Sequence, residues 1–206
     1  MRHAISKDLY AYWDGLRGAR AAPDRNDIDP GVIRHLLADC FIVELDQACE
    51  FPLRLSGTRL NALWSAEGRG APFLSTWREA DRRELAAAML TVIDGATPIV
   101  GGAKARARAA DGGGEDVSRR ELDLELLLLP LRHFGARSRL IGALAPFGEV
   151  EWFGRVPAEL EIISLRMMSA RERRRRYEAR VAMPSPLTQA QDGRRFIVYE
   201  GGKGRA

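Results

Sequence analysis

Glu121, Asp123 and Glu125 occupy alternate positions of one stretch, close enough together to suggest the paired carboxylates of acid–base chemistry. A second stretch supplies answering charges. Lys104, Arg106 and Arg108 alternate with alanines 103, 105, 107 and 109, as the acids alternate with Leu122, Leu124 and Leu126. A period of two places all the charges on one face of a strand and all the apolar side chains on the other. Asp111-Gly112-Gly113-Gly114-Glu115 between them is turn material. The pattern predicts an antiparallel hairpin with Lys104 opposite Glu125, Arg106 opposite Asp123 and Arg108 opposite Glu121. Such pairs contribute about 0.2–1 kcal/mol each on an exposed face, which accounts for the acids without catalysis.

Other reactive residue types are scattered. His3, His35 and His133 share no metal-ligand spacing with each other or with Cys40 and Cys49. The chain has no GxSxG, P-loop or GxGxxG pattern. No metal site and no enzyme activity are expected. The two cysteines read as reduced thiols, the N-terminus lacks the apolar stretch of a signal peptide, and no apolar run reaches the roughly 20 residues of a membrane helix. A cytoplasmic location is expected.

The net charge of +4 conceals an asymmetry. Residues 166–206 carry 11 basic and 4 acidic side chains, whereas residues 1–165 carry 21 and 24. The excess sits in a tail containing Arg171, Arg173, Arg174, Arg175, Arg176 and Arg180. Three readings of that tail stay open: a solvated segment, a dock for an acidic protein or membrane surface, and a phosphate or nucleic-acid contact.

The elements that position these residues follow from periodicity. Leu9, Tyr12, Trp13 and Leu16 recur at helical spacing behind Ser6, a plausible N-cap. Asp29-Pro30 predicts the start of a short second helix carrying Val32, Ile33, Leu36 and Leu37. Residues 40–45 and 51–55 read as strands, residues 58–64 as a short helix, and residues 81–94 as the clearest helix, stopped by Gly95. After the charged hairpin, residues 139–145 read as a further strand. Helices grouped between two runs of strands imply an α+β fold, an antiparallel five-stranded sheet with helices on one face. The expected divisions are an N-terminal helical extension over 1–38, a core over 39–165 and the basic tail over 166–206. The first helix is either packed on the core or a dimer and partner arm, through Leu9, Tyr12, Trp13 and Leu16.

The segments Arg25-Asn26-Asp27-Ile28-Asp29-Pro30, Phe51-Pro52-Leu53-Arg54-Leu55-Ser56-Gly57-Thr58-Arg59-Leu60 and Leu127-Leu128-Leu129-Pro130-Leu131-Arg132 resemble a compact bacterial PAS family. Phe196-Ile197-Val198-Tyr199-Glu200-Gly201-Gly202 is similar to the way such chains finish. The resemblance implies a PAS fold and a sensory or regulatory role through protein–protein interaction, with a homodimer or a regulatory protein as partner and no catalytic residues. The residues disfavour two known PAS cofactors. The helix over 81–94 contains no histidine for haem, and the Asn-Cys-Arg motif of flavin photosensors is absent. The alanines opposite leucines in the hairpin leave two readings: close approach of a helix, or room for a small apolar metabolite lined by Phe41, Leu55, Leu63, Trp77, Met89, Ala105 and Leu124. A nucleic-acid-associated regulator using the arginine tail is the alternative function.

Overall fold

A computed structural model describes residues 1–108, 120–134, 136–148 and 150–168. Residues Met1–Ser169 form one compact unit. Among the described residues, three α-helices, α1 (Ala4–Arg17), α2 (Thr58–Trp64) and α3 (Glu79–Gly95), accompany six strands. The strands are β1 (Cys40–Glu44), β2 (Leu53–Ser56), β3 (Ile99–Ala107), β4 (Glu121–His133), β5 (Ala136–Pro146) and β6 (Ala158–Met167). They make one antiparallel sheet in the order β2-β1-β5-β4-β3-β6. The expected α+β class and antiparallel sheet are present. The expected count of five strands becomes six, because Ala158–Met167 adds a strand beside β3.

Both faces of the sheet are covered, not one. On one face, Phe41, Val43, Ala103, Ala105, Leu124, Leu126 and Leu128 pack with α2, α3 and the turn at Phe73–Thr76. On the other, Cys40, Ile42, Val100, Leu127, Leu129, Leu131 and Ile141 pack with Leu9, Tyr10 and Trp13 of α1. The sequence of β4 changes character to match. It alternates acid and leucine from Glu121 to Glu125, and from Leu126 it is continuously apolar where both faces are buried.

Helix α1 starts two residues before Ser6. His3 is its N-cap, its ring Nδ1 accepting from the Ile5 amide at 3.2 Å. The helix expected after Pro30 is instead a run of turns closed by a 3₁₀ turn at Leu37–Asp39. The Asp29 carboxylate accepts from the Gly31 amide at 2.8 Å, a local bond that favours a turn over helix propagation.

The charged hairpin forms with its faces as expected but its register two residues away. Lys104 faces Asp123, Arg106 faces Glu121 and Gly102 faces Glu125. A shift of two leaves every side chain on its original face, so alternation alone could not fix it. Two contacts favour the observed register. Arg106 reaches both Glu121 and Glu161, and Arg108 reaches Glu159, so β6 supplies acids that the hairpin alone lacks. Glu125 is thereby drawn away from the cations. It is buried and accepts from the Arg2 amide at 2.6 Å and the His3 amide at 3.1 Å, fastening the start of α1 to the sheet. The turn over 111–115 lies outside the described residues.

Candidate functional sites

Six of the seven expected pocket residues come together. Phe41, Leu63, Trp77, Met89, Ala105 and Leu124 belong to one cluster between the sheet and α2 and α3. Leu55 does not. It points to the opposite face and packs with the α1 cluster, because the bulge between Ile42 and Val43 sets β2 so that Leu53 takes the inner position. Phe41 stacks on Phe73 with ring centroids 4.6 Å apart, and Phe73 meets Trp77 edge-on at 5.9 Å. The Trp77 indole N–H is fully buried without an acceptor. The buried members of this cluster are all apolar or aromatic, so it can bind by shape and burial but cannot move protons.

The expected dimer arm is mostly used within the chain. Leu9 and Trp13 are buried against the sheet, and Trp13 Nε1 donates to the Pro130 carbonyl at 2.8 Å. Tyr12 is half-buried. Its hydroxyl accepts from the Asp29 amide at 2.7 Å, tying α1 to the following turn, and Leu16 is half-buried beside it. Leu9 and Trp13 therefore cannot form a seam with another chain while α1 stays on its sheet. The tail residues Arg171, Arg173, Arg174, Arg175, Arg176 and Arg180 lie outside the described residues.

Burial, and next the charge of Asp39, push the Cys40 thiol up to about 12, so it is not a thiolate nucleophile at neutral pH. Cys49 is exposed. Among the described residues, no cluster of three histidine, cysteine or carboxylate side chains could hold a metal ion. No described helix is long and apolar enough to cross a membrane.

One ion-pair group has a legible pH response. Glu44 on β1 accepts from Arg139 on β5 at 3.1 Å and also pairs with Arg54 on β2. Burial pushes the Glu44 carboxyl up, but the hydrogen bonds from Arg54 and Arg139 outweigh it and hold the group below the ordinary carboxylate range. A depressed folded value gives stability that is present above the unfolded value, near 4.3. That stability is lost as pH falls through the folded value. Glu44→Gln is expected to lower stability by about 1 kcal/mol at pH 7, and by less at pH 3, which lies below the unfolded value. Urea unfolding of both proteins at the two pH values checks this. A difference that persisted undiminished at pH 3 would assign the effect to packing.

A feature missed in sequence lies along β6. This strand ends the sheet and pairs with β3 along one edge. The other edge is covered over its first half. The Arg78 amide donates to the Leu160 carbonyl at 2.8 Å, and the Asp81 carboxylate accepts from the Ile162 amide at 3.0 Å. Past that point comes Ile163, the extra residue of a bulge, since Gly102 pairs with Ser164 while Ala103 pairs with Ile162. Ile163 is 56% exposed and Met167 59% exposed, both on the half of the strand that α3 does not cover. Bulges re-aim side chains and sit preferentially at sheet edges.

Comparison with known proteins gives one strong match. The family model PAS_5, described as a PAS domain, matches residues 1–145. No curated protein matches significantly. Among solved structures, one described as "Structure of an RNA-binding Light-Oxygen-Voltage Receptor" aligns with 75% of this chain at 17% identity and a TM-score of 0.37. The aligned part spans 37% of that receptor's chain.

Proposed function

Because this chain belongs to the PAS domain family PAS_5, a family of sensory and regulatory modules, we propose that it regulates through protein–protein contact, with a second copy of itself as partner and the open half of β6 as the contact. The observation that carries this reading is the pairing of two exposed apolar side chains, Ile163 and Met167, with the stretch of strand edge that the start of α3 does not reach. Edge strands of folded proteins are usually blunted by charge, proline or a covering element. Here the first half of β6 is covered by the start of α3 and carries Glu159 and Glu161, whereas the second half lies beyond those contacts and carries one charged side chain, Arg166. A two-fold axis across this edge, centred near Leu165, would set Ile163 of each copy against Met167 of the other, an isologous contact.

Burying an exposed Ile or Met side chain contributes about 1.5–3 kcal/mol. Ile163→Asp/Met167→Asp removes that gain and brings like charges together. Native mass spectrometry of the full chain is expected to show a dimer of the 22.9 kDa subunit for the wild type and a monomer for the double variant. A wild type that is monomeric at tens of micromolar, or a variant that stays dimeric, would contradict this contact.

A second element of the reading is modulation by a small ligand held near Trp77. Support comes from the buried indole N–H groups of Trp77 and Trp64, which lack acceptors within this cluster. An unmade buried hydrogen bond costs about 1–3 kcal/mol, so a ligand with one acceptor and an apolar body would fit that cluster. Its entry would alter packing under β3 and β4, and β6 pairs directly with β3. A ligand that favours one packing of the sheet shifts the population of the docking form. The arginine tail gives the alternative, a nucleic-acid-associated regulator, no support from the described residues.

A further inference from the structure

We infer that this chain carries an anion-binding cleft on the α1 side of the sheet, suited to a soluble phosphate-bearing metabolite. Arg25 from the turn after α1, Arg54 from β2, Arg69 from the loop after α2 and Arg139 from β5 line one cleft of about 340 Å³. Ile42 and Leu55 supply an apolar floor. That volume lies at the low end of small-molecule sites. It is enough for a pyrophosphate group with a flat apolar portion attached.

The charge balance argues for an anion rather than for a structural ion-pair network. Glu44 answers two of the four guanidiniums, Arg54 and Arg139. Among the described residues, Arg25 and Arg69 have no side-chain hydrogen bond or ion pair. The two acids flanking Arg25 are committed elsewhere. The Asp24 carboxylate accepts from the Asn26 amide at 3.2 Å, and Asp27 pairs with Arg20 at 2.7 Å. The residues lining the cleft include four guanidiniums and no acid, and Glu44 pairs with two of them, which leaves net positive charge in one concave site. A guanidinium presents a planar fork of donors that matches phosphate oxygens two at a time. The four come from segments far apart in sequence, so only the fold assembles them.

Phosphate chemistry of this kind is offered by a free metabolite or by a lipid headgroup. The concave shape and apolar floor favour the free molecule. The experiment uses the full chain and two probes, sodium pyrophosphate and vesicles of phosphatidylcholine carrying a phosphoinositide. Arg25→Gln/Arg69→Gln is the test variant, because removing two side chains without partners should leave the fold intact. Arg83→Gln on the exposed face of α3 is the control. The tail arginines are common to all three proteins, so their contribution cancels.

Pyrophosphate is expected to raise the melting temperature of wild type and Arg83→Gln by about 3 °C or more over sodium chloride of matched ionic strength. The affinity of Arg25→Gln/Arg69→Gln for pyrophosphate should fall about tenfold or more. The proposal is overturned if pyrophosphate acts no differently from salt, if the double variant responds like the wild type, or if binding is seen only on phosphoinositide vesicles. Because the readout is ligand affinity, it is separable from the dimer mass that tests the β6 contact.

Discussion

Trp13→Ala is expected to lower the unfolding free energy by about 3–5 kcal/mol, the range for truncating a buried large aromatic side chain. The indole is buried between α1 and the sheet, in contact with the cluster that holds Leu127, Leu129 and Leu131. Its N–H satisfies the Pro130 carbonyl, which the change leaves unpaired. Pro130 lies past the end of the β3 ladder, which stops opposite Leu128, so no strand from that side replaces the lost donor. Against a total stability of about 5–15 kcal/mol for a domain of this size, the loss is a large fraction. Trp13→Phe keeps most of the volume and should cost about 1–2 kcal/mol, mainly the hydrogen bond. Urea unfolding followed by circular dichroism measures both. A Trp13→Ala protein as stable as the wild type would mean that α1 is dispensable to the fold and would restore it as a free arm.

Gly142→Ala is the second large effect, about 3 kcal/mol or more, at the upper end of the range for overpacking. Gly142 on β5 sits between Phe41 of β1 and Leu128 of β4. A Cβ at this position would lie 2.3 Å from the Phe41 ring and 2.5 Å from the Leu127 carbonyl oxygen. The ring cannot retreat far, because it stacks on Phe73. The carbonyl belongs to a central strand paired on both sides. Glycine ordinarily weakens a strand, and here the close approach of the Phe41 ring is what requires it. Thermal unfolding of Gly142→Ala beside Gly95→Ala, where the nearest atom to a new Cβ is Thr97 Oγ1 at 3.7 Å, separates close approach from general glycine effects. Equal melting temperatures for the two variants would contradict the packing of Phe41 over Gly142.

Legibility in sequence followed periodicity. Strict alternation marked β3 and the first half of β4, and the helical spacing of Leu85, Met89 and Val92 marked α3. The same signal was present at Ala158-Glu159-Leu160-Glu161-Ile162, where acids alternate with apolar residues as they do in Glu121–Leu126. Reading it would have supplied the sixth strand and the partners of Arg106 and Arg108. The face covered by α1 was also encoded, in the change from alternation to the continuous run Leu126–Leu129. Other features were not legible. A two-residue register shift preserves both faces, so the binding of Glu125 to the amides of Arg2 and His3 needed the tertiary structure. The arginine cleft joins positions 25, 54, 69 and 139, none of which forms a local pattern. Of the candidate pocket residues, six were gathered because they alternate inward on strands or face inward from α2, α3 and the Phe73–Trp77 turn. Leu55 was misplaced because the bulge at Ile42/Val43 breaks the count from β1 to β2.

Amide hydrogen exchange on the full chain at two protein concentrations reports whether the second half of β6 is where this module meets its partner copy. Exchange across residues 163–167 is expected to be slower at the higher concentration, with residues 4–17 unchanged. Concentration-independent exchange at 163–167, or protection that appears in 4–17 instead, would contradict this contact.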